Sequence, residues 1–550
     1  LLLVDPVSVD LHEAVPPSWI RRRGPDSCQH IIDDQSKFVL FASTLHVQGA
    51  TITKQPFRDS SGNLLAFNGE IFHDQPICDT ELVADILSRC DNAGDIQSAL
   101  LRFEGPFAFV YYQRERQTIY FGRDPLGRRS LVHTAWGTGP YQIASSCNSD
   151  GDSWSEVSCS GVFSIDLSRI SEPTLHVWPH ILGDSSPDPP LPPSSRRFSH
   201  VNHVAALHDV LSNAVRRRLS CLAFSHNADR DETSSDPARV GILFSGGLDC
   251  TIIAALAHDH VPLSEPIDLI NFAFGASSLT VPDRQSAINS LIELRTVCPK
   301  RHFRLIEVNV DINNLRDHSE HIFNLIRPCQ TVMDFNLGSV LWFSSRGTGV
   351  VLRDDERSVP IVSQHCRYAS DLKQGAKTVV EKYYSEDEVW DEYTSQCRVL
   401  ISGLGADELF GGYSRHRTAY RRGGWQGARD ELDLDQRRLY RRNLGRDDRL
   451  CSDNARDTMY PFLDDELRDL VRTIPIEEIC RLDLEAGQGG DKQILRSLAH
   501  SLGLIKTSSL QKRAIQFGTR IANKQISGRE VIDRGALRES LGEIVRTKAT

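Results

Sequence analysis

The stretch GILFSGGLDC, residues 241–250, leads from an apolar run through a Ser-Gly-Gly turn and an acid into a second apolar run. The run 240–244 is typical of a buried strand, and the second run predicts a helix that begins near Cys250. Two glycines let the backbone turn sharply and approach a ligand closely, because they lack a Cβ. The N–H groups of such a turn and of the following helix attract anions, above all phosphate. The stretch therefore predicts an anion-binding loop at the carboxyl end of a parallel strand.

Asp249 lies directly beside this predicted anion site. A carboxylate repels a polyphosphate unless a divalent cation lies between them, so Asp249 predicts Mg²⁺. No GK[ST] ending follows the turn, which excludes a Walker A loop. The alternative is a purely structural strand–helix turn that carries an acid at the N-terminus of its helix.

A second loop of the same kind follows the apolar run 398–402. RVLISGLGADELFGGYSRH, residues 398–416, again leads from a predicted strand into a glycine-rich turn with two acids, Asp407 and Glu408. Two such strand ends suit a nucleotide whose pyrophosphate and metal are held from two sides. The pair therefore favours a nucleotide site over a structural turn.

The remaining patterns predict two domains. Residues 1–168 contain short aromatic and β-branched runs with turn signals between them, which are typical of strands. A proline-rich linker is predicted over 169–201. Strands and helices alternate over 202–550, as in a parallel sheet that is covered by helices on both faces. Within this second domain, the polar stretch 348–395 is predicted to be an insertion.

The composition excludes several classes of protein. The 550 residues exceed what one core supports, and the net charge of −10 gives no reason to expect a nucleic-acid partner. Acids such as Asp430 dilute the arginine-rich stretch 415–449, so helices are favoured there over a nucleic-acid patch. No apolar run approaches the roughly 20 residues of a membrane span. That absence predicts no membrane partner. The 13 scattered cysteines include no CxxC pair, which predicts a reducing, cytoplasmic compartment.

Several motifs carry a resemblance to a known family. SGGLDC resembles the SGGxDS loop of N-type ATP pyrophosphatases, and SGLGADELFGGY is similar to the matching loop of asparagine synthetases. The C-terminal motifs of that family resemble PFLDDEL (461–467) and DKQILRSLA (491–499). Its class II glutaminase domain resembles RRGPDS (22–27), LLAFNGEIF (64–72), DTEL (79–82), EGPFAFVYY (104–112) and GRDPLGRRSL (122–131). Within this family, the sequence is most similar to the divergent asparagine synthetase domain-containing proteins. The motifs that carry this similarity are NLGRDDR (443–449), GYSRHR (412–417) and KRAIQFGTRIA (512–522).

The resemblance implies an α/β and α+β two-domain fold. The first domain would be a class II glutaminase-like β-sandwich of the Ntn type, and the second an ATP pyrophosphatase-like domain on a parallel sheet. The implied reaction is the ATP- and Mg²⁺-dependent amidation of aspartate through β-aspartyl-AMP. Ammonia would be released from glutamine in the first domain and pass through an internal channel. The implied partners are these small molecules, and the oligomeric state is left open.

The resemblance also implies roles for individual residues. ATP would be bound by Leu243 and Phe274 on the adenine side, by Ser245, Gly246 and Gly247 at the phosphate oxygens, and by Asp249, Ser402 and Gly403. Mg²⁺ would be bound by Asp249 and Asp407. Lys492 would stabilise charge during adenylation, although a surface lysine on a helix is the alternative. Glutamine would be bound by Asn68 and Gly69 as the oxyanion hole, by Glu70, and by Asp79 at its amine. An Asn-Gly pair alone is more often a hairpin turn.

The first domain departs from the family at two places. The family nucleophile is an N-terminal Cys, whereas this sequence begins with Leu1, and its nearest cysteine, Cys28, follows the RGPD motif. Either the start of the protein is missing, as the strand-like LLLV favours, or the domain is inactive. The family also has an Arg that clamps the α-carboxylate of glutamine, and Thr44 falls near its expected place. Losing this bidentate contact is expected to weaken glutamine binding.

The second domain departs from the family at three places. Cys250 replaces a serine of the phosphate loop, Leu404 replaces a glutamate that supports adenylate formation, and Met459 replaces an arginine. These changes leave three interpretations open. The protein is an asparagine synthetase, or it is a catalytically impaired relative with an inactive glutaminase domain that acts as a nucleotide-binding or interaction protein. An amide-forming enzyme that uses another acid, such as a β-lactam synthetase, is a third.

Overall fold

A computed structural model describes residues 2–4, 17–33, 38–49, 51–72, 78–137, 139–147, 154–169, 171–181, 202–219, 222, 237–275, 280–352, 390–485 and 487–522. The first part contains helices α1 (Ser18–Arg21), α2 (Asp79–Ser88) and α3 (Ala93–Leu100). Its strands are β1 (Leu2–Val4), β2 (Ser27–Asp33), β3 (Phe38–Thr44), β4 (Phe57–Arg58), β5 (Leu64–Gly69), β6 (Phe107–Gln113), β7 (Thr118–Arg123), β8 (Val132–His133), β9 (Tyr141–Ala144), β10 (Ser155–Glu156), β11 (Gly161–Asp166) and β12 (Thr174–Val177).

These strands form two six-stranded sheets, in the orders β10-β8-β9-β1-β3-β2 and β12-β11-β7-β6-β5-β4. Apolar side chains of both sheets, such as Phe38, Leu40 and Phe121, pack into one core. A second core joins the outer face of the β4–β12 sheet to α2 and α3. The first domain is therefore the β-sandwich that the resemblance implies.

The first domain extends beyond its predicted end at residue 168. Strand β12 pairs with β11 from Gly161↔Val177 to Ser164↔Thr174. Trp178, which follows β12, is fully buried in the core beneath α2 and α3. The predicted linker 169–201 thus begins too early, because the polar loop after β11 conceals a further edge strand. Residues 182–201, which carry the proline-rich stretch, lie outside the described part of the chain.

The second domain has a seven-stranded sheet in the order β17-β16-β15-β14-β13-β18-β19. Its strands are β13 (Val240–Leu243), β14 (Ile267–Phe274), β15 (Phe303–Val310), β16 (Thr348–Leu352), β17 (Trp390–Thr394), β18 (Val399–Ile401) and β19 (Asp457–Met459). Its helices are α4 (His203–Leu219), α5 (Leu248–Ala257), α6 (Pro282–Val297), α7 (Ile312–Ile326), α8 (Val332–Arg346), α9 (Ala406–Phe410), α10 (Ser414–Leu439), α11 (Gly445–Ser452), α12 (Asp465–Thr473), α13 (Ile476–Ile479), α14 (Gln493–Ser501), α15 (Ile505–Ser508) and α16 (Ile515–Gly518).

The five strands β15-β14-β13-β18-β19 run parallel. Every residue of β14 is buried, as expected for a strand with helices on both faces. The chain passes from β13 to β14 and β15 on one side and then returns to β18 and β19 on the other. The loops after β13 and β18 therefore meet at a topological switch point, where parallel sheets bind ligands.

The predicted insertion 348–395 begins and ends in strands. β16 and β17 pair antiparallel and extend the sheet at its β15 edge. Residues 353–389, between these two strands, lie outside the described residues. The arginine-rich stretch forms the kinked helix α10, a π-helical turn (Tyr440–Leu444) and α11. Across the described ranges, no helix has the length and apolar character needed to span a membrane.

Candidate active sites of the two domains

The loop after β13 is held against α6 by Gly246. This residue has φ +72°, and a Cβ there would lie 2.2 Å from the backbone nitrogen of Ala287. Ser290 Oγ on α6 donates to the Gly246 carbonyl at 2.8 Å. Gly247 is the N-cap of α5, and its N–H donates to Ser245 Oγ at 3.3 Å. Gly246 thus shapes the loop, whereas Ser245 and Gly247 line a cavity of about 780 Å³ in the second domain.

The loop after β18 lies beside the first loop and lines the same cavity. A Cβ on Gly403 would come within 3.1 Å of the Asp249 Cβ, so the two loops are in direct contact. Ser402 is anchored through its N–H, which donates to the Met459 carbonyl on β19 at 2.9 Å. The structure brings Ser402, Gly403 and Asp407 together with Ser245, Gly247 and Asp249 around one cavity.

Lys492 joins the two loops through its ammonium group. Its Nζ lies 2.6 Å from Asp249 Oδ2 and 2.7 Å from Asp407 Oδ1. Lys492 is only 3% exposed and precedes α14, so the alternative of a surface lysine on a helix is wrong. Burial lowers the pKa of Lys492, but Asp249 and Asp407 outweigh this effect and hold the pKa above its ordinary value. Lys492 therefore carries a positive charge at the point where the two loops meet.

The two carboxylates fit a magnesium ion that is also bound by a polyphosphate. Asp249 Oδ1 is buried and has no hydrogen-bond partner within the described part of the chain, although Oδ2 is paired with Lys492. The described ranges hold no cluster of three or more His, Cys, Asp or Glu side chains that could bind a metal by themselves. Mg²⁺ commonly uses one or two carboxylates and takes its other ligands from phosphate and water. Asp249 and Asp407 match this donor set.

Phe274 does not lie where the adenine-side prediction places it. Leu243, Ile270 and Phe272 line the cavity, but Phe274 is buried in the core and does not. Residues 270, 272 and 274 share one face of β14, because side chains alternate along a strand. Phe274 is the last of them, and its N–H donates to the Thr519 carbonyl, so the segment after α16 covers this end of the strand.

Two of the departures in the second domain have structural explanations. The Cys250 thiol donates to the Gly247 carbonyl at 3.4 Å, so it helps to hold the loop. Leu404 lines the cavity and also packs against an apolar cluster that includes Leu126 of the first domain. The position of the family glutamate is therefore also part of the contact between the two domains.

Several cavity residues were not predicted from the sequence. Lys512 forms an ion pair with Asp407, and Tyr413 Oη donates to Glu408 Oε1 at 2.7 Å. Arg415 stacks on the Tyr413 ring, with its guanidinium carbon 3.9 Å from the ring centroid. The motifs 412–417 and 512–522 contain these residues, but no spacing rule relates residues so far apart in the chain. Only the fold places them in one cavity.

The first domain has its own cavity, of about 210 Å³, and all four predicted glutamine-binding residues line it. Asn68 and Gly69 lie in β5, paired with Ala108 and Phe107, so the hairpin-turn alternative is wrong. Asp79 lies in the first turn of α2, where its Oδ2 accepts from the Ile71 N–H at 3.0 Å. Cys28 is exposed on β2 and does not line the cavity.

Glu70 lines this cavity and is 2% exposed. It accepts a hydrogen bond from Gln48, while its other oxygen, Oε2, has no partner among the described residues. Burial raises the pKa of Glu70 to about 8, and the charges of Asp457 and Asp79 add to this effect. Glu70 is therefore largely protonated at neutral pH.

Residues of the second domain complete the first-domain cavity. Asp448 and Ser452 of α11, together with Arg456 and Asp457, line it. Three buried arginines form ion pairs that join the two domains at this face, namely Arg23–Asp448, Arg129–Asp457 and Arg128–Asp465. The cavity of the first domain is thus closed by the second.

Comparisons with known proteins agree with this architecture. The glutamine amidotransferase domain family matches residues 14–150, and the asparagine synthase family matches residues 389–431 and 421–547. Asparagine synthetase domain-containing protein 1 of Bos taurus is 31% identical, over 94% of this chain and 93% of its own length. The protein of that name in Homo sapiens is 30% identical over 94% and 93%. A Drosophila melanogaster asparagine synthetase domain-containing protein is 30% identical over 92% and 94%. The chain therefore belongs to the family of asparagine synthetase domain-containing proteins.

Proposed function

We propose that this protein forms an amide from a carboxylic acid at the expense of ATP, with aspartate as the acid and glutamine as the source of nitrogen. One observation carries the proposal. Asp249 and Asp407, from loops at neighbouring strand ends, meet at the buried ammonium group of Lys492 on the wall of a cavity of about 780 Å³. Two carboxylates and one cation beside a glycine-rich loop are what a Mg²⁺-bound triphosphate requires.

In the proposed reaction, the side-chain carboxylate of aspartate attacks the α-phosphorus of ATP, and pyrophosphate leaves. Ammonia then attacks the acyl carbon of the adenylate, loses a proton to solvent, and AMP leaves with the bond electrons. The positive charge of Lys492 would stabilise the charge that develops on the phosphate oxygens. Asp249 and Asp407 would hold Mg²⁺, which when bound neutralises phosphate charge.

The proposed nitrogen source is supported by the first-domain cavity. Asn68, Gly69, Glu70 and Asp79 line it, and a polar pocket with buried, unpartnered donors and acceptors suits a small zwitterionic ligand. Asn68 Nδ2 is one such donor within the described residues, and it suits an oxygen that gains negative charge. We propose that glutamine is hydrolysed here, with water adding to the side-chain amide carbon and ammonia leaving, so that glutamate remains and the ammonia is used in the second domain.

We also propose a reducing, cytoplasmic location. The eleven cysteines within the described ranges are all free thiols, and most of them are buried. Such thiols are typical of proteins that are kept in a reducing compartment.

The test is pyrophosphate release by the full chain with Mg-ATP and aspartate, supplied in parallel with ammonium or with glutamine. Release that depends on aspartate and on either nitrogen source supports the proposal. Lys492→Met is expected to lower the rate by about two orders of magnitude, the range reported for removing one preorganised charge-stabilising group. Lys506→Met, at an exposed lysine of α15, is the matched control and should retain the rate. Absence of pyrophosphate release under all conditions contradicts the proposal.

A second candidate function is nucleotide binding without amidation. The observation in its favour is Leu404, which stands where the family has a glutamate and packs against the apolar cluster that includes Leu126. Under this alternative, ATP binds in the presence of Mg²⁺ and stabilises the chain, but no pyrophosphate is released with any acid. Thermal unfolding with and without Mg-ATP, run beside the pyrophosphate assay, separates the two functions.

A further inference from the structure

Arg23 lies between the first-domain cavity and the second domain. It follows α1, is 9% exposed and lines the cavity. Its Nη2 donates to Asp448 Oδ2 on α11 at 3.0 Å. Its Nη1 is buried and finds no hydrogen-bond partner in the described part of the chain. Because an unpaired buried donor on a charged group is costly, this arm of the guanidinium is suited to an anionic ligand.

Arg23 reaches the cavity next to Thr44, where the resemblance places the missing arginine clamp. Gly24 packs directly on this residue, since a Cβ on Gly24 would lie 2.5 Å from the Thr44 nitrogen. The Asp26 N–H donates to the Thr44 carbonyl at 3.2 Å, which fixes the two segments together. Thr44 Oγ1 is itself buried and has no partner among the described residues. The Arg23 guanidinium and the Thr44 hydroxyl thus line the same cavity, near the place where one arginine would bind a carboxylate.

We propose that Arg23 binds the α-carboxylate of glutamine in place of the missing arginine, and that Asp448 of the second domain positions Arg23 for this role. The inference rests on the proposed function, because it concerns the pocket that would supply the nitrogen. An arginine has five N–H donors, so one arm can remain on Asp448 while the other binds the ligand. Specificity for an α-amino acid in the first domain then depends on a residue of the second.

The charges around Arg23 are compatible with the binding of a ligand carboxylate. Arg129 forms ion pairs with both Asp448 and Asp457, so that with Arg23 two arginines face two aspartates. Glu70 is another acid of this cavity, and its burial raises its pKa to about 8, so that it is largely uncharged at neutral pH and does not repel a carboxylate. Asp79 lines the same cavity.

The test compares two ligands by calorimetry on the full chain: L-glutamine and 4-aminobutanamide, which has the same amine and amide but lacks the α-carboxylate. The wild-type chain should prefer glutamine by about 10- to 100-fold, the effect of one charge-assisted contact. Arg23→Met should weaken the binding of glutamine by that factor and leave the affinity for 4-aminobutanamide unchanged. Arg21→Met, at an exposed arginine of α1 that does not line the cavity, is the matched control. An equal loss for both ligands, an unchanged affinity for glutamine, or a wild-type chain that binds no glutamine overturns the inference.

Further variants keep the test valid if Arg23→Met does not fold. Arg23→Lys retains a cation beside Asp448 but lacks the second arm of the guanidinium, so the same selective loss for glutamine is expected. Asp448→Asn should also weaken the binding of glutamine but not that of 4-aminobutanamide, and by a smaller factor than Arg23→Met. Thr44→Arg in the Arg23→Met background should restore the preference for glutamine. Selective loss in these variants cannot result from a merely structural role of Arg23.

The inference and the proposed function can fail separately. Pyrophosphate release with ammonium does not require the first-domain cavity. A chain that binds glutamine through Arg23 and releases no pyrophosphate contradicts amidation and supports the inference. A chain that releases pyrophosphate with ammonium and binds no glutamine supports amidation and overturns the inference.

Discussion

Lys492 carries its charge into the second-domain cavity because two acids from different strand ends surround it. With 3% exposure, the ammonium group would be costly to bury without Asp249 and Asp407. The backbone also adapts to this position, since Lys492 has φ +52°, in the left-handed region that few residues other than glycine adopt. Such local strain is maintained only where the surroundings enforce it, and it is common at functional sites.

Replacing Lys492 should therefore also affect stability. Lys492→Met leaves two partly buried carboxylates with less compensation, and the free energy of unfolding is expected to fall by about 3 kcal/mol. Urea unfolding of the variant and the wild-type chain measures this change. Lys506→Met should stay within about 0.5 kcal/mol of the wild type, as surface substitutions usually do. A Lys492→Met chain that is as stable as the control would mean that Asp249 and Asp407 do not depend on this cation.

Glu70 predicts a pH dependence of stability. Burial raises the pKa of Glu70 from about 4.5 to about 8 in the folded chain. Its contribution to stability is therefore full below pH 4.5 and is lost as the pH rises through 8. In Glu70→Gln the side chain stays uncharged, so the variant should gain stability relative to the wild type between pH 5 and 8, by at most about 1.4 kcal/mol per pH unit.

Urea unfolding at pH 5, 6, 7 and 8 measures the difference between Glu70→Gln and the wild-type chain. Glu115→Gln, an exposed residue of the turn after β6, is the control for the removal of one carboxylate. A difference that does not change with pH would show that Glu70 is ionised throughout.

At the scale of the element, the phosphate loop is shaped by the way in which β13, α5 and α6 pack. Helix α5 is apolar on almost every side, as expected of a helix that is buried between a sheet and its neighbours. The loop at its start is forced close to α6, where only Gly246 fits. The same tight packing brings the N–H groups at the start of α5 to the cavity.

Gly246→Ala should therefore lower the free energy of unfolding by more than an ordinary substitution of a glycine with a left-handed backbone. The control is Gly489→Ala, since Gly489 has φ +74°, nearly the same as the +72° of Gly246, but open space where the Cβ would go. The control is expected to lower the free energy of unfolding by about 1–2 kcal/mol, which is the strain of an L-residue in this backbone region. Gly246→Ala adds a 2.2 Å contact with the Ala287 backbone and should exceed that cost and weaken ATP binding. Equal effects of both substitutions on urea unfolding would contradict the role of the contact with α6.

At the scale of the whole molecule, buried ion pairs join the two domains. Arg129 is 1% exposed and bonds to Asp457 of β19, and Arg449 of α11 bonds to Glu156 of β10 at 2.8 Å. These pairs are shielded from solvent, so the removal of one partner leaves an uncompensated charge. The two domains are therefore expected to unfold together.

Arg129→Met should lower the melting temperature and separate unfolding into two transitions in differential scanning calorimetry. The free energy of unfolding is expected to fall by about 3–5 kcal/mol, as it does when one partner of a buried ion pair is removed. Arg89→Met is the matched control, because Arg89 pairs with Asp85 on the surface of α2, where both side chains are more than half exposed. An exposed pair contributes about 0–1 kcal/mol. A single transition at the wild-type temperature in Arg129→Met would show that the interface does not depend on this pair.

The sequence by itself determined the class of the fold and the two loops of the nucleotide site. The apolar runs 240–244 and 398–402 predicted β13 and β18, and each strand lies within one residue of its predicted bounds. Local composition is sufficient here, because a strand that is buried on both faces must be apolar throughout. Asp249 and Asp407 were predicted as one site for a related reason, since the carboxyl ends of parallel strands meet at one edge of a sheet.

Only the tertiary structure decided which side chains meet across long separations in the chain. The pairing of Lys492 with Asp249, the core position of Phe274 and the contact of Arg23 with Asp448 depend on how the elements pack. No periodicity relates residues that are hundreds of positions apart, because their contact results from the burial of whole helices and sheets. Strand β12 was missed for a related reason: its backbone pairing with β11, rather than its polar composition, makes it part of the sheet.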